Sequence, residues 1–407
     1  MTKQGVVLYL HVHQPWRIKN YSIFDTATDH NYFDDRTETD RNNEKIMRKV
    51  AEKSYRPMNA LLLKLLETHP EFKVSLSITG TLLEQAEQWA PDVIEDFRRL
   101  VATGRVELVA ETYYHSLAFF YSREEFERQV SQHTDKLREL FGVVPTAFRN
   151  TELAYNDDLG KWADDNNYKV VLAEGWDPVL SWRSSNFVYR PVGAESAKLL
   201  LKNYRLSDDL AFRFSNKAWE HYPLKANKYS DWINAALGER GSVVNLFMDY
   251  ETFGENVWED TGIFDFFEQF VGEWLNDKNH TFYTVTEAAS KDDAVDEVSM
   301  PHTVTWADSE RDLTAWLGND MQQEAMKYLY ELERDVMRSG DLELIADWRK
   351  MSTSDHPYYM CTKWSSDGDV HAYFSPYDSP YDAFVYYMNA LRDVRFRLME
   401  RHHRGGL

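Results

Sequence analysis

Short apolar runs rich in β-branched residues alternate with amphipathic helical stretches through most of this chain. The runs begin near Val6, Phe72, Val106, Thr146, Lys169, Lys198, Val243 and Thr281. Repeated βα units of this kind fold into a sheet of parallel strands, with the connecting helices packed outside it. Seven or eight such strands predict a parallel barrel of the α/β fold class.

Helical stretches separate these runs, and further helices follow the last of them. Segments with an apolar repeat of helical period are 58–68, 81–87, 90–103 and 123–141, and, after residue 294, 321–338, 341–352 and 380–401. The polar stretch 25–43 predicts a long first βα loop over the barrel mouth. We therefore expect a barrel over residues 1–293 and a helical region over residues 294–407 that contributes to the cleft.

The composition limits the partners of the chain. It has 407 residues, 43% of them hydrophobic, and a formal net charge of −21. Nucleic acids and anionic membranes attract basic surfaces, so neither is an expected partner. The single cysteine, Cys361, cannot form an intrachain disulfide, and no uncharged apolar run approaches the roughly 18 residues of a membrane span. These features predict a cytoplasmic globular protein without a signal peptide, whose oligomeric state the sequence does not define.

The first strand ends in a cluster of polar side chains. After its apolar start come His11, His13, Gln14 and Trp16, with Pro15 ending the strand. Residues two apart on a strand share one face, so His11 and His13 point the same way. Side chains at the carboxyl ends of barrel strands line the mouth, where barrel enzymes have their active sites. We therefore expect these polar residues to bind a ligand.

Two carboxylates follow the apolar starts of two other predicted strands. Glu152 lies past the run that begins at Thr146, and Asp249 lies past the run that begins at Val243. Cleavage of a glycosidic bond needs one ionised and one protonated carboxyl group, which two strands can supply in different surroundings. Structural roles are the alternative for each residue alone, since Glu152 could begin a helix and Asp249 could pair with Arg149.

Five segments, taken in order, resemble the motifs of glycoside hydrolase family 57. They are His11–Pro15, Gly104–Glu107, Thr151–Tyr155, Phe247–Gly254 and Thr353–Tyr359. The resemblance implies an incomplete (β/α)7 barrel followed by a helical region, and retaining hydrolysis or transfer of α-glucan linkages. The segments Asp367–His371 and Tyr373–Tyr377 are most similar to those of family members that are α-amylases.

The resemblance also implies roles for individual residues. Glu152 would be the nucleophile and Asp249 the acid/base, and a retaining mechanism predicts roughly 5 to 5.5 Å between their carboxyl groups. The residues that would bind sugar or support these carboxylates are His11, His13, Glu107 and Asp355, with His356 beside Asp355 in the last motif. The nucleophile motif departs from its commoner form because Leu153 and Tyr155 replace a small residue and a tryptophan, which leaves the detail of the sugar subsites open.

Three further residues are candidates for substrate binding. Glu251 shares a strand face with Asp249 if the strand continues. Tyr113 lies in an aromatic and acidic cluster after the third strand, and Trp306 lies in a polar loop. Aromatic residues make up 14% of the chain, and flat aromatic faces beside acidic groups suit a polyhydroxylated ligand. Simple packing is the alternative for Tyr113 and Trp306.

Other functions remain open at this point. A 4-α-glucanotransferase or a branching enzyme would use the same covalent intermediate, with a sugar hydroxyl in place of water. A metal-dependent amidohydrolase or deacetylase could bind its ion through His11, His13 and Asp249, but Glu152 and Glu174 stand where such a site needs a lysine and further histidines. A glycan-binding protein without turnover is a third alternative. We predict an α-amylase-like hydrolase of α-glucans or maltooligosaccharides that uses no metal or other cofactor.

Overall fold

A computed structural model describes residues 3–363 and 373–405 of the chain. The strands in these residues are β1 (Gln4–Val12), β2 (Val74–Ile78), β3 (Val106–Leu108), β4 (Ala147–Arg149), β5 (Val170–Glu174), β6 (Arg190–Pro191), β7 (Lys198–Lys202), β8 (Val243–Asp249), β9 (His280–Tyr283) and β10 (Glu297–Val298). Each of the eight runs predicted from the sequence contains or adjoins one of these strands. The segment Asp367–His371 lies outside the described residues.

Seven of the strands follow one another around a parallel barrel in the order β1-β2-β3-β4-β5-β7-β8. Parallel ladders join β3, β2, β1 and β8 in one sheet and β4, β5 and β7 in another. Backbone hydrogen bonds join the sheets, since Ala110 N donates to Ala147 O and Asn203 N donates to Asn245 O. β9 pairs with the first half of β1. The predicted (β/α)7 barrel is therefore confirmed.

The helices surround the barrel and continue beyond it. They are α1 (Asn43–Val50), α2 (Arg56–Thr68), α3 (Gly80–Trp89), α4 (Pro91–Ala102), α5 (Arg123–Phe141), α6 (Asp157–Asp165), α7 (Asp177–Leu180), α8 (Tyr204–Asp208), α9 (Ala226–Leu237), α10 (Ile263–Leu275), α11 (Val285–Lys291), α12 (Thr314–Leu317), α13 (Asp320–Ser339), α14 (Leu342–Met351), α15 (Asp355–Tyr359) and α16 (Pro380–Gly405). Local signals set their ends: α5, for example, begins after the N-cap Ser122 and ends at Gly142, which has φ of 71°. No helix in the described ranges has the length and apolar character that a membrane crossing requires.

The alternation of side chains along β1 determines what the barrel mouth contains. Val6 and Leu8 face outward into the core shared with the helices. Val7 and Tyr9 face inward and belong to a second core, inside the barrel. The same alternation directs His11 inward at the carboxyl end of the strand, where it is 1% exposed. The barrel interior is therefore apolar at its base and polar at its mouth.

The helical region packs against the first βα loop through a core of its own. This core joins the apolar faces of α13, α14 and α16 to Ile18, Tyr21 and Tyr32 of the loop. Asp393 on α16 is fully buried and accepts hydrogen bonds from Ala27 N, His30 Nδ1 and Tyr32 Oη at 2.6, 2.7 and 2.5 Å. The loop predicted over 25–43 is thus fixed by a buried carboxylate. The exact boundary between residues 293 and 294 stays a prediction.

We expect Asp393→Ala to lower the free energy of unfolding by about 3 kcal/mol, because it leaves buried donors without an acceptor. The loop around residues 21–32 should also become sensitive to limited proteolysis. Urea unfolding and mass spectrometry of the fragments measure the two effects. Asp378→Ala, which removes an exposed aspartate of the same region, is the control. Equal unfolding free energies for the two variants would contradict this account of the loop.

Candidate active site

Three histidines form the centre of the barrel mouth. His11 and His13 project from the end of β1, and His115 follows β3. The ring centroid of His115 lies 4.7 Å from the ring centroid of His11 and 4.2 Å from that of His13. The cluster was predicted in part, because the alternation of β1 already placed His11 and His13 on one face.

Glu152 lies just past β4 and receives three hydrogen bonds. His115 Nε2 and Ser354 Oγ lie 3.1 and 2.9 Å from Glu152 Oε1, and Trp306 Nε1 donates to Oε2 at 2.8 Å. The Glu152 side chain is 16% exposed, so the carboxylate still opens to the cleft. Both oxygens are oriented by fixed donors, which is the arrangement that a preorganised nucleophile requires.

The backbone at Glu152 adopts a conformation that non-glycine residues rarely take. Glu152 and Leu153 have φ of 60° and 51°, both in the left-handed region. Tyr155 and Val304 hold the chain just beyond them, because each backbone N–H donates to the other's carbonyl at 2.9 Å. Left-handed non-glycine residues cost free energy and are concentrated at functional sites. This backbone turns the carboxylate of Glu152 into the mouth.

Asp249 reaches the same mouth from the end of β8. In the parallel ladder it is the partner of His11, and its Oδ1 lies 3.5 Å from His11 Nδ1. Its side chain is 48% exposed, which leaves it accessible to a ligand. Since the His11 ring stacks on His115, which bonds to Glu152, the two carboxylates contact neighbouring rings of one histidine cluster.

Charge at the site favours an ionised Glu152. Burial alone would raise the pKa of Glu152, but the hydrogen bond and charge of His115 lower it to about 2. Burial opposes protonation of His115, but hydrogen bonds to Glu111 and Glu152 raise its pKa to about 9. Glu111 is fully buried and lies 3.4 Å from Arg149 Nη1. At neutral pH the carboxylates of Glu111 and Glu152 therefore face an imidazolium and a guanidinium.

His13 is held by residues from two distant parts of the chain. Its Nε2 lies 2.9 Å from Asp355 Oδ2, and its backbone N donates to Glu251 Oε1 at 3.2 Å. Burial lowers the pKa of His13 to about 4, so it is neutral and donates to the ionised Asp355. Burial and the charge of Asp249 raise the pKa of Glu251 to about 8, and Tyr55 Oη also donates to it.

Glu107 lies outside this site, although the sequence placed it among the sugar-binding candidates. Its carboxylate accepts hydrogen bonds from the backbone N and Oγ1 of Thr286, at the start of α11. Glu107 pairs with Ser75 near the start of β3, below the level of His11. Residues 107, 109 and 111 share one face, so the mouth is reached two pleats later, by Glu111. The strand end, rather than the strand itself, carries the functional carboxylate.

Trp16 and Tyr113 lie in a buried cluster around Glu84 of α3. Trp16 Nε1 donates to Glu84 Oε2 at 3.0 Å, and Lys350 Nζ lies 4.2 Å from the centre of the Trp16 ring. Tyr113 packs on Gly80 and also bonds to Glu84. Both rings are at most 5% exposed. These contacts cover both rings, so Trp16 and Tyr113, which were predicted to bind substrate, have structural contacts instead.

Gln14 and His356 also have structural contacts. Gln14 is 6% exposed, and its Oε1 accepts from Arg17 Nη2 at 3.1 Å. His356 is 2% exposed and faces the helical region, with Nε2 3.2 Å from Lys350 O. Burial lowers the pKa of His356 to about 4. Within the last motif, Ser354 and Asp355 reach the mouth and His356 does not.

Arg149 and Ser354 were not predicted as site residues, and Glu111 and His115 were noted only as members of the aromatic and acidic cluster after the third strand. Glu111 could have been found from strand parity, since it follows Val109 on the inward face. His115 lies in the aromatic and acidic cluster noted after the third strand, but its φ of 51° and its contact with Glu152 have no sequence signal. Ser354 contacts Glu152 only because the helical region folds over the barrel.

Within residues 3–363 and 373–405, two groups of side chains could hold a metal ion, and they share His115. The groups are His11, Glu111 and His115, and His13, His115 and Asp355, with the ligand atoms of each group within 4.8 Å of one another. Arg149 Nη1 lies 3.4 Å from both Glu111 Oε2 and His115 Nδ1, so a cation in the first group would face a guanidinium. In the second group, His115 Nε2 already lies 3.1 Å from Glu152 Oε1.

We expect His115→Gln to move the acidic limb of the kcat/KM profile to higher pH. The variant removes the positive charge that lowers the pKa of Glu152, so this pKa rises by about 1 to 3 units. Below the new pKa Glu152 is protonated, and activity falls. His280→Gln alters a buried histidine at the start of β9 and serves as the control. An unchanged acidic limb would show that His115 does not control the ionisation of Glu152.

Comparison with known proteins agrees with this fold. The model of the family "Glycosyl hydrolase family 57" matches residues 7–301. A protein of Methanocaldococcus jannaschii described as "Putative alpha-amylase" is 40% identical over 369 residues, which cover 88% of this chain and 78% of that protein. The fold and the site define a barrel glycoside hydrolase. The chain belongs to glycosyl hydrolase family 57.

Solved structures show the same fold at low sequence identity. A family 57 branching enzyme from Pyrococcus horikoshii superposes with a TM-score of 0.70 and 14% identity, covering all of this chain and 92% of that one. The 4-alpha-glucanotransferase of Thermococcus litoralis gives a TM-score of 0.64 and 17% identity, and covers 88% of this chain and 56% of that one. The similarity therefore extends beyond the barrel into the helical region.

Proposed function

We propose that this protein cleaves α-1,4-glucan linkages by double displacement, with Glu152 as the nucleophile and Asp249 as the acid/base. The environment of Glu152 carries this proposal. Its carboxylate is ionised by His115, oriented by three donors and open to the cleft. A nucleophile must be ionised before attack, whereas the exposed Asp249 is free to exchange a proton with a leaving group or with water.

The reaction takes place in two steps. Asp249 protonates the glycosidic oxygen while Glu152 attacks the anomeric carbon, so the C–O bond breaks and a glycosyl ester forms. Asp249, now ionised, then removes a proton from water; the resulting attack at the anomeric carbon releases the sugar and restores Glu152. Two inversions retain the anomeric configuration. The predicted separation of roughly 5 to 5.5 Å between the carboxyl groups belongs to the same mechanism.

The substrate that we propose is an α-glucan or maltooligosaccharide. The name of the relative from Methanocaldococcus jannaschii supports this choice. Cytoplasmic location is part of the proposal and is supported by the single cysteine. Transfer to a sugar hydroxyl is the second candidate reaction, because the structural neighbours include a 4-alpha-glucanotransferase and a branching enzyme. Both reactions use the same intermediate and differ only in the acceptor.

A product profile on defined maltooligosaccharides tests the function. Purified protein should convert maltoheptaose into shorter products, whose initial anomers are α by NMR. Products longer than the substrate would assign the chain as a transferase, and β-anomers would contradict double displacement. No conversion, despite binding of the same sugar by calorimetry, would favour a glycan-binding protein.

A chelator separates this proposal from a metal enzyme. The structure pairs His11 with Asp249 and His13 with Asp355, rather than joining His11, His13 and Asp249 around one position. We therefore expect full activity after dialysis against EDTA. Loss of activity that zinc restores would instead favour the amidohydrolase or deacetylase alternative.

A further inference from the structure

Four charged side chains meet under the loop that carries Trp306. Lys202 Nζ lies 3.2 Å from Asp208 Oδ1 and 3.9 Å from Glu174 Oε2. Arg311 Nε lies 3.8 Å from Glu174 Oε2, and its Nη2 lies 3.8 Å from Asp208 Oδ2. None of the four side chains is more than 15% exposed. We call these residues the Glu174 cluster.

Arg311 connects this cluster to the catalytic centre. Its Nη1 donates a hydrogen bond to Trp306 O, and its own carbonyl accepts one from Thr305 N at 2.9 Å. Arg311 has φ of 51°, so a side chain sits where the backbone conformation favours glycine. Trp306 contacts Glu152 twice, through its backbone N at 3.2 Å and its Nε1 at 2.8 Å. The position of Trp306 therefore depends on Arg311.

Glu174 has no role in the mechanism, yet it is fully buried at the end of β5. Its Oε1 accepts from Gly175 N at 2.8 Å, whereas its Oε2 has no hydrogen-bond partner among the described residues. A buried carboxylate in this state is costly unless positive charge compensates it. Lys202 and Arg311 supply that charge, and Asp208 in turn compensates them.

We propose that Arg311, which is held by ion pairs with Glu174 and Asp208, is a positioning residue. It orients Trp306 for its hydrogen bond to Glu152. The inference rests on the proposed role of Glu152 as the nucleophile. It assigns to the Glu174 cluster a part in the reaction, although none of its members need touch the substrate.

The contact between Glu174 and Arg311 should depend on pH. Burial raises the pKa of Glu174 to about 7, against the lowering effect of Lys202 and Arg311, and Asp208 raises it further. Above pH 7 the ionised Glu174 holds Arg311. As the pH falls through about 7, Glu174 gains a proton, its attraction for Arg311 is lost, and the contact between Trp306 and Glu152 loosens.

Indole N–H resonances report this contact without any substrate. In protein labelled with ¹⁵N-tryptophan, the peak that disappears in Trp306→Phe belongs to Trp306. We expect Arg311→Gln to shift this peak and leave the other indole peaks in place, which also shows that the variant folds. If Arg311→Gln does not fold, Arg311→Lys takes its place. Arg205→Gln is the matched control, because Arg205 pairs with the exposed Asp177 nearby.

Titration provides the second arm. The Trp306 peak should move with a midpoint near pH 7 in the wild-type protein and stay fixed from pH 6 to 8 in Glu174→Gln. Either of two results would overturn the proposal: a Trp306 peak that does not shift in Arg311→Gln, or a Trp306 peak that titrates in Glu174→Gln as it does in the wild-type protein.

Turnover provides the third arm. Arg311→Gln should lower kcat by about tenfold to a hundredfold, but have no further effect in a Trp306→Phe background. Independent effects that multiply in the double variant would mean that Arg311 does not act through Trp306. Wild-type protein without glucan turnover would refute the proposed function, while the indole peaks would still test the positioning role.

Discussion

Glu152→Gln should lower kcat on maltoheptaose by about 10⁴-fold, which corresponds to about 5.4 kcal/mol of transition-state stabilisation. The amide is nearly isosteric and can keep contacts to Ser354 and Trp306, so the loss reflects the missing nucleophile rather than a change of fold. Initial rates by chromatography measure the effect. A loss below about tenfold would remove Glu152 from the role of nucleophile.

The chain offers a matched control for this substitution. Glu127 on α5 accepts a hydrogen bond from Trp162 Nε1 at 3.1 Å, as Glu152 does from Trp306. Glu127→Gln therefore makes the same chemical change at a second carboxylate–indole pair, outside the mouth. We expect it to retain wild-type kcat. Equal losses in both variants would indicate a general effect on stability.

Azide adds a stereochemical test of the same role. In Glu152→Ala, azide can occupy the space of the missing carboxylate and attack an activated α-glycosyl fluoride directly. A single displacement yields the β-glycosyl azide, with inverted configuration. Formation of the α-azide would place the nucleophile elsewhere.

Asp249→Ala should lower kcat by about 10² to 10⁴-fold on maltoheptaose, since general acid/base catalysis contributes about that much. A glycosyl fluoride leaves with little protonation, so the formation of the glycosyl ester should be nearly unaffected and only its hydrolysis should be slow. Burst kinetics with the fluoride measure the two steps separately. Azide should speed up the second step and give the α-azide, because it needs no general base.

The control for Asp249→Ala must be an aspartate outside the Glu174 cluster, which excludes Asp208. Asp378→Ala removes an exposed aspartate instead and should leave both steps unchanged. If Asp249→Ala were equally slow with the fluoride and with maltoheptaose in the first step, the acid/base role would be wrong.

The fold was predictable because its signals are local and repeated. Strand runs, helical periods and stop signals such as Gly142 each lie within a few residues of one another. The convergence of His11 and Asp249 on one mouth followed from the same logic, since the carboxyl ends of parallel strands meet there.

The contacts of Glu152 were not predictable in the same way. His115, Trp306 and Ser354 reach Glu152 across 37, 154 and 202 positions of the chain. The periodic patterns of strands and helices carry no information about contacts between residues so far apart in the sequence. Glu107 was misplaced for a simpler reason. The motif Gly104–Glu107 contains the start of β3, whereas Glu111, which reaches the barrel mouth, follows the end of that strand.

The path of the chain around Glu152 bears on how relatives of this protein could differ. Two of the three donors to its carboxylate come from residues 306 and 354, beyond the part of the chain that the family model matches. Substitutions in that outlying portion could change the basicity of Glu152 while every barrel strand stayed the same. Swapping this portion between two relatives would then exchange their pH optima, because the barrel alone would not determine the pH optimum.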